Sequence, residues 1–232
     1  ILNFKGGTGK TTTAVNLGYA LSLKNYKVLI IDCDPQASIS NWFGIDSEYT
    51  IYDLLTNKAK LKDCIYQARH NLDIIASNKY LARIELVLAR GKDAEKAFSK
   101  KLKYLKGYNF VFLDCPPSLN IINLNALEYA EEVFLPVSMD FLSLRGVKQV
   151  IELLPENIKL TKIIPTFYDQ RTRKSKEILE DLKDFFKDKV TKSIRINVKL
   201  SECSSFHKTI FEYDPASRGS IDYKSLAEEI IR

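Results

Sequence analysis

The four cysteines of this 232-residue chain, Cys33, Cys64, Cys115 and Cys203, include no C-x-x-C pair. Zinc knuckles and dithiol redox sites use that spacing, so both classes are set aside, and reducing cytosol is the expected compartment. No apolar run is long enough to cross a bilayer, and no secretory leader is visible. Internal repeats, low-complexity tracts and Gly/Pro/Ser-rich linkers are also missing. The expectation is one domain over residues 1–232. Neither sign of charge dominates: 35 Lys and Arg face 29 Asp and Glu, a formal charge of +6. So small an excess fits solvated lysines on helix faces as readily as an anionic partner. The chain opens at Ile1 rather than methionine, so its first strand is expected to be seen only in part, as "ILNF".

What is present is alternation. Short apolar runs end in polar or turn residues: "ILNF", "KVLIID", "LDIIAS", "NFVFLD", "EVFLPV", "KLTKIIPT" and "VTKSIRI". Runs of this kind suit strands buried on both faces of a parallel sheet. Helical spacing lies between most of them, as in "TTAVNLGYALSLK", "KEILEDLKDFFKD" and the closing "SLAEEIIR". The pattern predicts an α/β fold: a doubly wound, mostly parallel sheet with helices on both faces.

"KGGTGKTT" follows the first run and opens the first helix, which is the context a phosphate-binding loop requires. Gly6, Gly7, Thr8 and Gly9 can curl so that backbone N–H groups face phosphate oxygens. Lys10 can bridge the β- and γ-phosphates of ATP. Thr11 offers a hydroxyl to Mg²⁺, and Thr12 sits at a helix N-terminus that favours anions. A Gly-rich turn without a ligand is the competing reading. In the usual G-x-x-x-x-G-K-[ST] loop the first glycine falls where Phe4 stands, and Lys5 follows it.

Hydrolysis also needs a held metal and an oriented water. "VFLDCPPS" ends an apolar strand in Asp114 and then breaks at Pro116, placing a carboxylate where it can reach Mg²⁺ directly or through water. "LIIDCDPQAS" carries Asp32 and Asp34 after another strand. Neighbours one apart point to opposite faces, so these two aspartates have different jobs. For Asp32, a place near the Mg²⁺ shell and a capping role in the loop stay open as alternatives. Cys33 and Cys115 each follow an aspartate and read as small residues beside the site.

The loop with its second lysine resembles the ParA/MinD family of P-loop ATPases, and the rest of the chain resembles its Soj/ParA partition branch. "TTTAVNLGYAL", "DCDPQAS", "LDCPPSLNIINLNALEYAEEVFLPV", "IIPTFYDQRTRKSKEILEDLKDFF" and "INVKLSECSSFHKTIFEYDPASRGSIDYKSLAEEI" carry the likeness in order. Departures fall at Asn123, where threonine is common, and at Ile196 and Lys199, where arginine is usual. Phe206 and His207 replace a small pair before Lys208.

The resemblance implies an ATP-dependent homodimer with the nucleotides sandwiched between subunits. Lys5 then reaches the partner's phosphates, and Asp34 lies on the first switch and orients the attacking water. It further implies nonspecific double-stranded DNA as a partner, through Arg195, Lys199, Arg218 and, more weakly, Lys208. A ParB-type centromere-binding protein would stimulate hydrolysis, and the protein would be cytoplasmic and nucleoid-associated. A MinD-like membrane-positioning ATPase is the runner-up, but "YKSLAEEIIR" is acidic in the middle and lacks the bulky apolar face such a helix needs. An iron–sulfur carrier of the same superfamily needs paired cysteines, and Cys115 lacks a companion.

Overall fold

Val28–Asp32 (β1) is buried along its whole length, as an apolar strand covered on both faces must be. The computed structural model describes residues 1–89, 93–155 and 158–231, with side chains omitted at 141–145 and 159. The other strands are Ile65–Arg69 (β2), Leu72–Ile75 (β3), Phe110–Asp114 (β4), Glu132–Ser138 (β5) and Lys159–Thr166 (β6). Helices Lys10–Ser22 (α1), Ser38–Phe43 (α2), Ile51–Leu55 (α3), Ile84–Leu88 (α4), Ala97–Leu102 (α5) and Ile121–Tyr129 (α6) fill the first half. Phe141–Leu153 (α7), Arg173–Phe186 (α8), Val198–Glu202 (α9), Ile210–Tyr213 (α10) and Arg218–Ile230 (α11) follow.

The strands pair in the orders β2-β3-β1-β4 and β5-β6. Ile1–Asn3 joins these two sheets. The Ile1 nitrogen donates to the Leu113 carbonyl at 2.7 Å, and Leu2 N–H donates to the Phe134 carbonyl at 3.0 Å. Parallel register sets Asp32 of β1 opposite Asp114 of β4, so both carboxylates reach the same sheet edge.

Alternate residues of β1 feed two cores. Leu29 and Ile31 pack with residues of α3 to α8, whereas Val28 and Ile30 pack with residues of α1, α2 and α9 to α11. Each fully buried Leu or Ile contributes about 1.5–3 kcal/mol, so these two layers hold the sheet edge in place. Within the second layer, the buried Tyr223 hydroxyl of α11 meets the Thr13 hydroxyl of α1 at 3.1 Å. Buried Asn16 of α1 accepts Ile210 N–H at 2.8 Å and donates to the Thr12 carbonyl at 2.9 Å. Asn16→Leu leaves the Ile210 N–H without its acceptor and should cost about 1–3 kcal/mol, read as a lower urea midpoint at constant slope.

Three strand readings from the sequence need correction. "ILNF" is not a strand: Ile1–Asn3 is held between β4 and β5 by single hydrogen bonds to the Leu113, Phe134 and Pro136 carbonyls. "VTKSIRI" forms no strand: Thr191 and Ile194 N–H donate to the Ile163 and Pro165 carbonyls of β6 at 2.9 and 2.7 Å, but the pairing amounts to isolated bridges, Ile163 with Val190 and, beyond β6, Tyr168 with Arg195. Its Lys192 N–H donates instead to the Glu229 carboxylate at 3.2 Å, which interrupts any ladder. Conversely, Ile65–Arg69 is an unforeseen strand, paired antiparallel to β3. It is an edge strand with only Ala68 buried, so no apolar run marks it.

Candidate functional site: a phosphate loop between two carboxylate strands

Gly7 and Gly9 have φ of +72° and +84°, the left-handed region where a side chain is strained. These turns curl the loop over the start of α1. Gly9 caps α1 without a side-chain hydrogen bond, and the first turn carries no acidic residue. The helix therefore begins with unsatisfied N–H groups and an uncompensated positive dipole end, which attract an anion. Lys10 is buried to 7% exposure, and its Nζ donates to the Lys5 carbonyl at 3.2 Å. Burial lowers its pKa, while Asp114 and then Asp34 pull the other way. One ammonium thus lies within the electrostatic reach of both Asp114 and Asp34.

The Thr11 hydroxyl donates to Asp114 Oδ2 at 2.7 Å. Burial pushes the Asp114 carboxyl up to about 6, against the lowering effect of that hydroxyl. Its Oδ1 is buried and has no partner among the described residues. An orphaned hard oxygen beside a hydroxyl is a donor set that suits Mg²⁺, which keeps phosphate and water oxygens as its other ligands. No larger group of His, Cys, Asp and Glu able to hold a metal occurs among the described residues.

Asp32 takes up the loop-capping alternative. Its Oδ1 accepts Asp34 N–H and its Oδ2 accepts Ile39 N–H, both at 3.0 Å. Burial pushes its carboxyl well up, the Asp114 charge adds to this, and the two N–H donors oppose it. Asp34 is half-buried; its Oδ1 accepts Gln36 N–H at 2.9 Å, and its Oδ2 has no partner among the described residues. Cys33 and Cys115 are both buried behind these aspartates.

Lys5 turns away from the loop it begins. Its Nζ lies 2.5 Å from Asp140 Oδ2 and 3.5 Å from Ser138 Oγ, at the end of β5. The pair is about one-third exposed. Sequence reasoning missed Asp140, because no motif marks it. It also left unnamed the residue after β6: Phe167 has φ of +53° and is 48% exposed. Its ring lies 3.8 Å from where a Cβ on Gly9 would stand, so an aromatic surface flanks the loop. Asn123 Nδ2 donates to the carbonyls of Pro116 and Ser118, at 3.1 and 2.5 Å, and so fixes the turn after Asp114.

Residues 1–168 match the model of the AAA domain family. Over 240 residues the chain is 38% identical to the chromosome-partitioning ATPase Soj of Treponema pallidum, covering 99% of this chain and 95% of that one. The chromosome partitioning protein ParA of Caulobacter vibrioides is 35% identical over 248 residues, covering 100% of this chain and 92% of its own. The chain belongs to the Soj/ParA family of partition ATPases. Among solved structures, the septum site-determining protein MinD of Pyrococcus horikoshii, complexed with Mg-ADP, matches at a TM-score of 0.84 and 26% identity. That match covers 99% of this chain and 93% of the MinD chain.

The basic residues singled out by the Soj/ParA likeness stand around α9 and α11. Arg195 is held by Asp222: Nη2 lies 2.6 Å from Oδ1, and Nε donates to both carboxylate oxygens. Lys199 pairs with Glu202 at 3.2 Å. Arg218 and Lys208 are exposed, and neither side chain has a partner among the described residues. The first turn of α11 abuts Asn197 and Leu200, which brings the Arg218 and Lys199 turns side by side. Of these four basic residues in this partition ATPase, then, Arg218 and Lys208 are the two without an ion pair among the described residues.

Proposed function

We propose that the protein is an ATP-driven partition switch that pairs with a second copy around bound ATP, holds DNA without sequence preference in that state, and lets go on hydrolysis. The observation that carries this reading is the division of labour between the two loop lysines. Lys10 faces its own loop within reach of Asp114 and Asp34, while Lys5 is turned out to Asp140. A part-exposed cation turned away from its own loop is placed to reach a second subunit's nucleotide.

In this scheme the N-terminal amides of α1 and Lys10 hold the ATP phosphates, with Phe167 flanking them. Thr11 and Asp114 hold Mg²⁺, which neutralises phosphate charge when bound. Asp32 braces the loop that presents Asp34, and Asp34 orients the attacking water. Lys5 exchanges Asp140 for the partner's phosphates, where it acts as an arginine finger does. Turnover is therefore slow in the single subunit. A ParB-type partner speeds it, and the ATP-bound pair resides on the nucleoid. The apolar residues Tyr223, Leu226 and Ala227 of α11 are buried in the core shared with α1, so this helix does not offer them to a membrane. No helix among the described residues is long and apolar enough to cross a membrane.

The test is ATPase turnover with and without nonspecific duplex DNA, alongside sizing in ATP and in ADP. Pairing in ATP alone and DNA-stimulated turnover are expected; a single subunit in both nucleotides would refute the scheme. DNA mobility should also shift with ATP at low salt and lose the shift as salt rises, because the contacts are to phosphates. Arg218→Glu should weaken this binding about tenfold or more and flatten its salt slope by about one contact. An unchanged slope would remove Arg218 from the interface.

A further inference from the structure

The helix that follows Asp34 is fastened to the turn that carries Lys208. Trp42 of α2 donates its indole N–H to the Lys208 carbonyl at 2.8 Å. The His207 ring lies across the C-terminal end of α2, with Nδ1 2.8 Å from the Asn41 carbonyl. A carbonyl only accepts, so Nδ1 carries the proton, and His207 satisfies one of the carbonyls left open at that helix end. Gly44 makes the approach possible: a Cβ there, at φ +66°, would come within 3.1 Å of the imidazole. Arg69 closes the set, donating to the His207 carbonyl at 2.7 Å with its guanidinium 5.2 Å from the Phe43 ring centre.

His207 itself holds φ of +54°, a left-handed backbone that a non-glycine residue adopts at a cost. Glycine would relieve that strain but would lose the ring that contacts α2. At its other end α2 begins at the Asp32-braced loop: Ile39 N–H donates to Asp32 Oδ2 at 3.0 Å, and Asp34 lies on the same loop. Besides the Asn16–Ile210 contact of α1, a path from the phosphate site to Lys208 therefore runs through one six-residue helix.

The geometry points to Trp42 and His207 as positioning residues that make α2 and the Cys203–Lys208 turn move as one body, so that the nucleotide held beside Asp34 sets the placement of Lys208 against DNA. This rests on the partition-switch reading above and names how its two sites communicate. The coupling is a free energy shared between sites, and it is lost when the connecting contacts are cut.

The experiment compares the parent with Trp42→Phe, which keeps the ring and removes the donor, and with His207→Gly, which removes the ring and relieves the backbone. Neither residue touches the phosphate loop, so ATP affinity and DNA-free turnover stay at parental values. Duplex DNA affinity is measured in ATP and in ADP, and the ratio of the two should fall roughly five- to tenfold in each variant. The double variant should fall little further, because both contacts belong to one connection. Hydrogen exchange without DNA gives the second measurement. Amides 203–208 should exchange differently in ATP and ADP in the parent and alike in His207→Gly. A parental affinity ratio in both variants, or identical exchange of these amides in both nucleotides in the parent, overturns the connection and leaves the partition reading standing. Absence of ATP-dependent DNA binding in the parent overturns that reading, and the connection with it.

Discussion

Lys5→Ala should bind ATP as the parent does and hydrolyse it about 10³-fold more slowly, the low end of what a cation inserted across an interface contributes to phosphoryl transfer. The expectation follows from where Lys5 rests. Its ammonium is 2.5 Å from Asp140 and makes no contact with Lys10 or Thr11. Removing it leaves the α1 amides, Lys10 and the Thr11–Asp114 pair intact, so nucleotide affinity has no reason to fall. In the proposed scheme, what disappears is charge neutralisation at the partner's phosphates, which arises only in the pair. Asp140→Asn makes the contrast. The Lys5–Asp140 pair is part-exposed, so breaking it lowers the protein concentration for half-maximal turnover only about fivefold or less. Nucleotide titrations and turnover against protein concentration check both. Parental turnover in Lys5→Ala would place the lysine outside the chemistry.

Asp34→Ala should trap the ATP-bound pair, with turnover down about 10²-fold or more, the range expected when a group that positions or accepts a proton is lost. Asp34 is held for this task from two directions. Its own N–H is fixed by Asp32, its Oδ1 by Gln36 N–H, and Oδ2 is left open. Because Asp32 carries the bracing, the loop in Asp34→Ala keeps its anchor and ATP binding survives. Sizing after addition of ATP, followed over hours, should show a pair that fails to dissociate. A pair that decays at the parental rate would contradict the assignment.

The phosphate loop was legible in the sequence because its information is local: two left-handed glycines, a lysine and a threonine within one turn of chain. Asp114 was legible for a similar reason, as a carboxylate ending an apolar run before Pro116. The partners of these residues were not. Asp140 lies 135 residues from Lys5, and no pattern in the sequence brings the two together. Asp222, which pairs with Arg195 from the facing turn of α11, is equally hidden, and it changes which of the four basic residues lack an ion pair among the described residues. Asp32 had two readings because a strand-terminal aspartate can serve a metal or a backbone, and only the positions of the Asp34 and Ile39 amides show which backbone groups it holds. β2 escaped notice because an edge strand needs just one buried residue, while "VTKSIRI" looked like a strand because alternation records propensity and not the side-chain competition at Lys192.

The three residues that join the two sheets also set an order of events during synthesis. Ile1–Asn3 is held by Leu113 and Pro136, and these contacts span 112 and 133 residues of sequence. Loops of that length close late, because their entropy must be offset before any contact forms. The phosphate loop springs directly from this segment, so its anchorage to both sheets is complete only once β4 and β5 have been made.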